Sequence, residues 1–196
     1  MNEMQEVVSE FIQKYNELQI QAYNNFTMSM IDAGIIFVNM FSVLPPSEMM
    51  NQIYYEAEFS MSVPHIILFG LTIIQKLKST PNARLMTSIK NNFHTSPVFA
   101  TKFIIAYIEA FHGSGIDEFI TIISDKTYAS DWEYIDFANI CLSFIMTTRT
   151  KPDPRLYMRL NYYGSTQKMI LELYESWIEI FSESPPKEIL AHVLEK

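Results

Sequence analysis

"SPVFATKF", Ser96 to Phe103, sets a serine seven residues ahead of a phenylalanine. The same outline stands at Ser62 to Phe69 ("SVPHIILF") and at Ser130 to Phe137 ("SDWEYIDF"), 34 positions to either side. Ile74, Ile108 and Leu142 fall on this register, as do Leu77, Phe111 and Ile145. Further on, Leu85 matches Phe119, Met86 matches Ile120 and Ile89 matches Ile123. A third unit agrees once about three residues are inserted. That brings Leu156, Tyr157 and Leu160 into line and predicts an enlarged loop at Pro152 to Pro154.

Punctuation supports helices within each period. Ser62, Thr80 and Ser96 each precede a proline by one or two places. A hydroxyl there caps the first turn while proline presets φ, so each predicts a helix start. The marks recur at roughly 16 to 18 residues and continue through Gly115 and Ser130, leaving room for two helices per period. A period near 34 built from helix pairs is the mark of stacked hairpins. The tetratricopeptide pattern is absent, and the loosely apolar repeat predicts an all-α stack of antiparallel hairpins of HEAT or armadillo type, an α-solenoid.

The flanks read as caps on that stack. Val7, Val8, Phe11, Ile12, Tyr15, Leu18, Ala22 and Phe26 trace one amphipathic helix from Met4. A second runs from about Thr27 to Val43 and stops at Pro45-Pro46, with Gly34 a weak point within it. Ser47 then serves as the next N-cap. "STQKMILELYESWIEIFSE", Ser165 to Glu183, forms a late helix capped by Ser165, and Pro185-Pro186 separates it from "PPKEILAHVLEK". The organisation expected is a single domain over 1–196, with capping helices at 1–44, hairpins at 47–160 and capping helices at 165–196.

Composition agrees with one packed domain. The chain has 196 residues, 48% of them hydrophobic and only 18% charged, too apolar for a disordered polymer. A chain of this length buries about 70% of its unfolded surface. Cys141 is the sole cysteine and sits in "FANICLSFIM". It reads as a small buried hydrophobe, and its isolation fits a reducing compartment, the cytoplasm. The N-terminus "MNEMQEVVSEF" is acidic and unlike a secretory leader. "AGIIFVNMFSVL" (Ala33 to Leu44) and "IILFGLTII" (Ile66 to Ile74) fall short of the roughly 18 apolar residues of a membrane span and read as buried helices.

Net charge is −8. The densest basic grouping, "RTKPDPR" at Arg149 to Arg155, is too thin for a phosphate-binding surface, which argues against nucleic acid. The same imbalance attracts a basic protein surface over long range.

No pattern names a reaction, a metal or a cofactor. His65, His94, His112 and His192 have neither mutual nor cysteine spacing suited to zinc. "HGSGID" (His112 to Asp117) lacks the Lys-Ser/Thr of a phosphate loop and reads as a turn. Asp117 and Glu118, like Asp131 and Glu133, fall in first turns and complement the helix dipole. The twelve methionines, Met28, Met30, Met49 and Met50 among them, read as core filling before adaptable surface.

One constellation stands out. Glu172, Glu175, Glu179 and Glu183 are spaced by three, four and four. On one helix they form an acidic ridge opposite Met169, Ile170, Leu173, Tyr174, Trp177 and Phe181. Like charges so placed cost roughly 0.2 to 0.5 kcal/mol per pair. A ridge kept despite that cost suits recognition of a basic partner, and an ordinary solvated face is the plainer alternative.

"VPHIILFGLTIIQKL" and "SPVFATKFIIAYIEAFHGSGIDEFITIIS", within Val63 to Ser124, resemble the small helical-repeat immunity proteins with which bacteria neutralise a cognate toxin. In them a Phe-Gly-Leu helix is followed by a hairpin opening on Ser-Pro. The likeness covers about a third of the chain, and "FIIAYIEAF" stands where one such family carries an Arg-Ile-Leu-Asn-like segment. It implies a non-catalytic, acidic chain that occludes a basic toxin's active site. The expected function is therefore a protein-binding module without cofactor, most sharply an immunity protein using Glu172, Glu175, Glu179 and Glu183. The alternatives are a scaffold or adaptor subunit, homodimeric in one form, and a helical small-ligand carrier or enzyme.

Overall fold

The structure, a computed structural model, describes residues 9–11, 13–14, 29–59, 63–125, 137–160 and 167–194. It is all-helical among those residues. The helices are α1 (Met30–Phe41), α2 (Ser47–Phe59), α3 (Val63–Leu77), α4 (Ala83–Asn91), a 3-10 turn at Phe93–Thr95, α5 (Pro97–Phe111), α6 (Asp117–Ser124), α7 (Phe137–Thr148), α8 (Pro154–Tyr157), α9 (Gln167–Phe181) and α10 (Lys187–Leu194).

The odd-numbered helices end alike. Each is followed directly by a non-glycine residue in the left-handed region, namely Ser42, Lys78, His112, Arg149 and Ser182, with φ between 51° and 57°. The amide of Ser42, Lys78, Arg149 and Ser182 donates to the carbonyl four residues back, at Val38, Ile74, Ile145 and Ile178, which closes the last turn. In every case four residues then lead to the next helix. The third of these is Pro45, Pro81, Gly115, Pro152 or Pro185, and the four prolines are buried. Gly115 has φ of 76°, a conformation closed to proline.

So short a linker folds each even helix back beside its predecessor. Counted from the left-handed residue, the eleventh position ahead is Ile53, Ile89, Ile123, Leu160 and Val193, all packed in the core. The ninth position behind is Ala33, Phe69, Phe103, Ile140 and Leu173, all completely buried. Helices α1, α3, α5, α7 and α9 pack in that order side by side. Aromatic contacts seal the middle, where Phe119 of α6 meets Phe103 and Tyr107 of α5 at 5.7 and 4.9 Å between ring centroids.

Polar bridges also run between successive even helices as far as α8. Arg84 of α4 donates twice to Glu58 of α2 and lies over the Tyr54 ring. Lys90 of α4 pairs with Glu118 of α6. Arg155 of α8 donates to Thr121 Oγ1, and Arg159 beyond it to the Ser124 carbonyl, both of α6.

Several expectations need correction. The left-handed residues lie at 112 and 149, so Phe103 corresponds to Ile140 and not to Phe137. For the same reason Ile74 and Ile108 correspond to Ile145, and Leu142 falls three short. The linker holding Pro152 is no longer than the others. Asn82, not Thr80, caps α4 by accepting from the Leu85 amide. Ser96 precedes α5 without a side-chain cap bond. Ser47 lies inside α2 with its hydroxyl on Glu48. Helix α1 is capped by Ser29 and stops at Phe41, ahead of Pro45. Thr27, Ser62, Ser130, Ser165, Asp131, Glu133 and most of the Met4 to Phe26 stripe lie outside the described residues.

Candidate protein-binding face

Helix α9 buries Ile170, Leu173 and Trp177 and turns Leu171, Glu175, Ile178 and Glu179 to solvent. Tyr157 of α8 meets the Trp177 indole edge-on at 6.0 Å, and Phe181 meets it at 5.1 Å. These rings fix the rotation of α9 and so decide which side is exposed.

At 3.6 residues per turn, Glu172, Glu175 and Glu179 fall within about 60° of one another. Glu172 is half-buried and lies 3.8 Å from Lys168, one turn earlier. Glu175 and Glu179 have no ion-pair partner among the described residues. Three of the four expected carboxylates therefore share a face. Glu183 does not, because the helix ends at Phe181 and Ser182 turns left-handed.

Glu183 belongs to the linker and pairs with Lys151 of the preceding linker at 2.7 Å. Its carboxyl is held below the usual glutamate range, first by the Lys151 hydrogen bond and more weakly by the Trp177 indole. The indole N–H is buried and reaches no acceptor in normal hydrogen-bond geometry, yet it points closely enough at Glu183 to favour the ionised form.

Leu171 and Ile178 complete the face, 43% and 41% exposed. Helical geometry puts them about 20° apart, with Glu175 next to them. Sequence reasoning passed over both, although two aliphatic residues one heptad apart and outside the buried stripe were a usable signal. At the opposite end of the row, Ile36, Met40 and Leu44 are exposed on and just after α1, and Phe11 packs edge-on against Phe37 and Phe41.

The histidines take structural places. His65 Nδ1 bonds Asp32 at 2.6 Å across the first turns of α3 and α1, His94 lies in the 3-10 turn and His112 is left-handed. The side chain of His192 is outside the described set. Cys141 is buried. Among the described residues, no three His, Cys, Asp or Glu side chains gather to hold a metal, and no helix is long and apolar enough to cross a membrane. No protein family, no curated protein and no solved structure matches this chain.

Proposed function

We propose that the chain is a single stack of five helical hairpins of HEAT or armadillo type that acts as a non-catalytic binding module. In its sharpest form it is a cytoplasmic immunity protein that binds and neutralises a basic toxin. Five left-handed residues, five four-residue linkers and matching core positions support the stack. The hairpin of α9 and α10 follows the same scheme as the others, so the far cap belongs to the series.

The observation that carries the binding reading is the α9 face, where Glu175 and Glu179 stand unpaired beside exposed Leu171 and Ile178. A desolvated apolar centre with a charged rim is how protein interfaces combine affinity with selective approach. An acidic rim selects a basic partner and makes the encounter sensitive to salt.

Immobilised protein exposed to a lysate of its source, at low and at high salt, tests this. A single basic protein should be captured at low salt and lost when Glu172, Glu175 and Glu179 are together changed to Lys. Salt-indifferent capture that survives this change would sink the reading, and would turn attention to the apolar end at Ile36 and Met40, as a scaffold or homodimer requires.

A further inference from the structure

Four helices of the row hide two positions that α9 leaves open. Counting back from the left-handed residue, the fourth position is Val38, Ile74, Ile108, Ile145 and Ile178. The eleventh is Ile31, Ile67, Thr101, Ala138 and Leu171. In α1, α3, α5 and α7 none of these exceeds 7% exposure. Only in α9 do both emerge.

The eighth position back shows what covers that side elsewhere. At Gly34 of α1 and Gly70 of α3 a Cβ would meet first the Cδ1 of Ile53 or Ile89, in the even helix of the same hairpin, and then ring atoms of Phe69 or Phe103, in the next odd helix of the row. The covered side is thus the one that receives the following odd helix. Among the described residues α9 has no successor.

Charge says what can occupy the place. The seventh position back is Ile35, Leu71, Ile105 and Leu142 in the earlier helices and Glu175 in α9. An acid here rejects another hairpin like those inside the row, while Leu171 and Ile178 on either side keep an apolar seam. A second copy presenting its own α9 would bring Glu172, Glu175 and Glu179 against like charges, and α1 carries no Lys or Arg to offset them.

We infer that this side of α9 docks a basic amphipathic helix of a partner protein, laid alongside it as the next helix of the row. Two aliphatic residues one heptad apart on that helix cover Leu171 and Ile178, and a Lys or Arg between them meets Glu175. This rests on the binding reading above and adds the form of the recognised element.

A synthetic three-heptad peptide with Leu and Ile along one stripe and Lys beside it is the probe. Its controls are a scrambled isomer of equal charge and a version with Glu in place of Lys. Titration by fluorescence anisotropy should show the designed peptide binding and gaining helicity in circular dichroism, with both controls failing to bind. Leu171→Asp and Ile178→Asp should each weaken binding about tenfold or more, and Glu175→Lys should do likewise, while the variants keep their helical spectra. Equal binding of the scrambled isomer, or binding indifferent to Leu171→Asp and Ile178→Asp, overturns the docked helix. If a basic protein is still captured in a salt-sensitive way with those same results, the binding function stands without it.

Discussion

Gly70 lies against the ring of Phe103: a Cβ on it would sit 3.0 Å from Cε2 of that ring and closer still to Cδ1 of Ile89. Gly34 stands in the same relation to Phe69 and Ile53, at 3.1 and 2.6 Å. In an exposed helix interior, Gly→Ala adds about 1 kcal/mol of stability. Here overpacking against a buried ring costs about 1 to 3 kcal/mol. Gly70→Ala should therefore lower stability by about 1 kcal/mol in urea denaturation. Combined with Ile89→Val, which removes the nearest atom, the loss should be less than additive. A stabilised Gly70→Ala protein would show that the two helices are free to separate.

Those glycines also show what was legible in the sequence. Helix positions, the buried Cys141 and the Phe69 to Phe103 correspondence could be read because apolar spacing and proline punctuation record them directly. The shared helix ending is recorded only by the proline three residues beyond it, a signal that Gly115 interrupts in the third hairpin. Left-handed caps are ordinarily glycine, and here Ser42, Lys78, His112, Arg149 and Ser182 hold them, residue types with no common signal. Without that anchor, an interval of 34 fitted α3 and α5 and then misplaced Phe137. Glu183 falls off the ridge for a reason the sequence does carry, since "FSESPP" repeats the "FSVLPP" of Phe41 to Pro46, in which the serine is the left-handed residue and a proline follows three places on. Gly34 read as a weak point when it is a contact.

Asp153 gives a pH test. Its carboxylate accepts from the Arg155 amide and guanidinium, and the side-chain bond is the main reason its pKa lies below the ordinary aspartate value. A carboxyl with a lowered folded pKa adds stability above its unfolded value and loses it as pH falls through the folded one. Asp153→Asn keeps a capping oxygen and removes the charge. It should cost about 0.5 kcal/mol at neutral pH, and the gap to wild type should close below about pH 4. A gap independent of pH would show that the charge is not its source.

The α9 face should show a trade between stability and binding. Glu175 has like charges three residues before it at Glu172 and four after it at Glu179, each pair costing about 0.2 to 0.5 kcal/mol on a helix. Glu175→Gln should raise the midpoint of thermal unfolding slightly at low salt, and this gain should vanish at high salt as screening removes the repulsion. The same variant should bind the basic partner less tightly. Unchanged affinity would remove Glu175 from the interface whatever its effect on the fold.

Trp177 separates a packing role from a polar one. The indole fills the space between Tyr157 and Phe181, while its buried N–H lacks an acceptor in good geometry. Truncation to Ala opens a cavity and should cost about 3 to 5 kcal/mol. Trp177→Phe keeps an aromatic ring and removes a poorly satisfied donor, whose burial itself costs about 1 to 3 kcal/mol, so its net cost in guanidinium denaturation should be near 1 kcal/mol. The Glu183 carboxyl, followed by carbon-detected NMR titration, should move up towards the ordinary range yet stay below it, because the Lys151 contact that contributes most remains. If Trp177→Phe proves as damaging as Trp177→Ala, the indole N–H makes a bond that the fold depends on. Lys151→Ala should then shift Glu183 less than Trp177→Phe does.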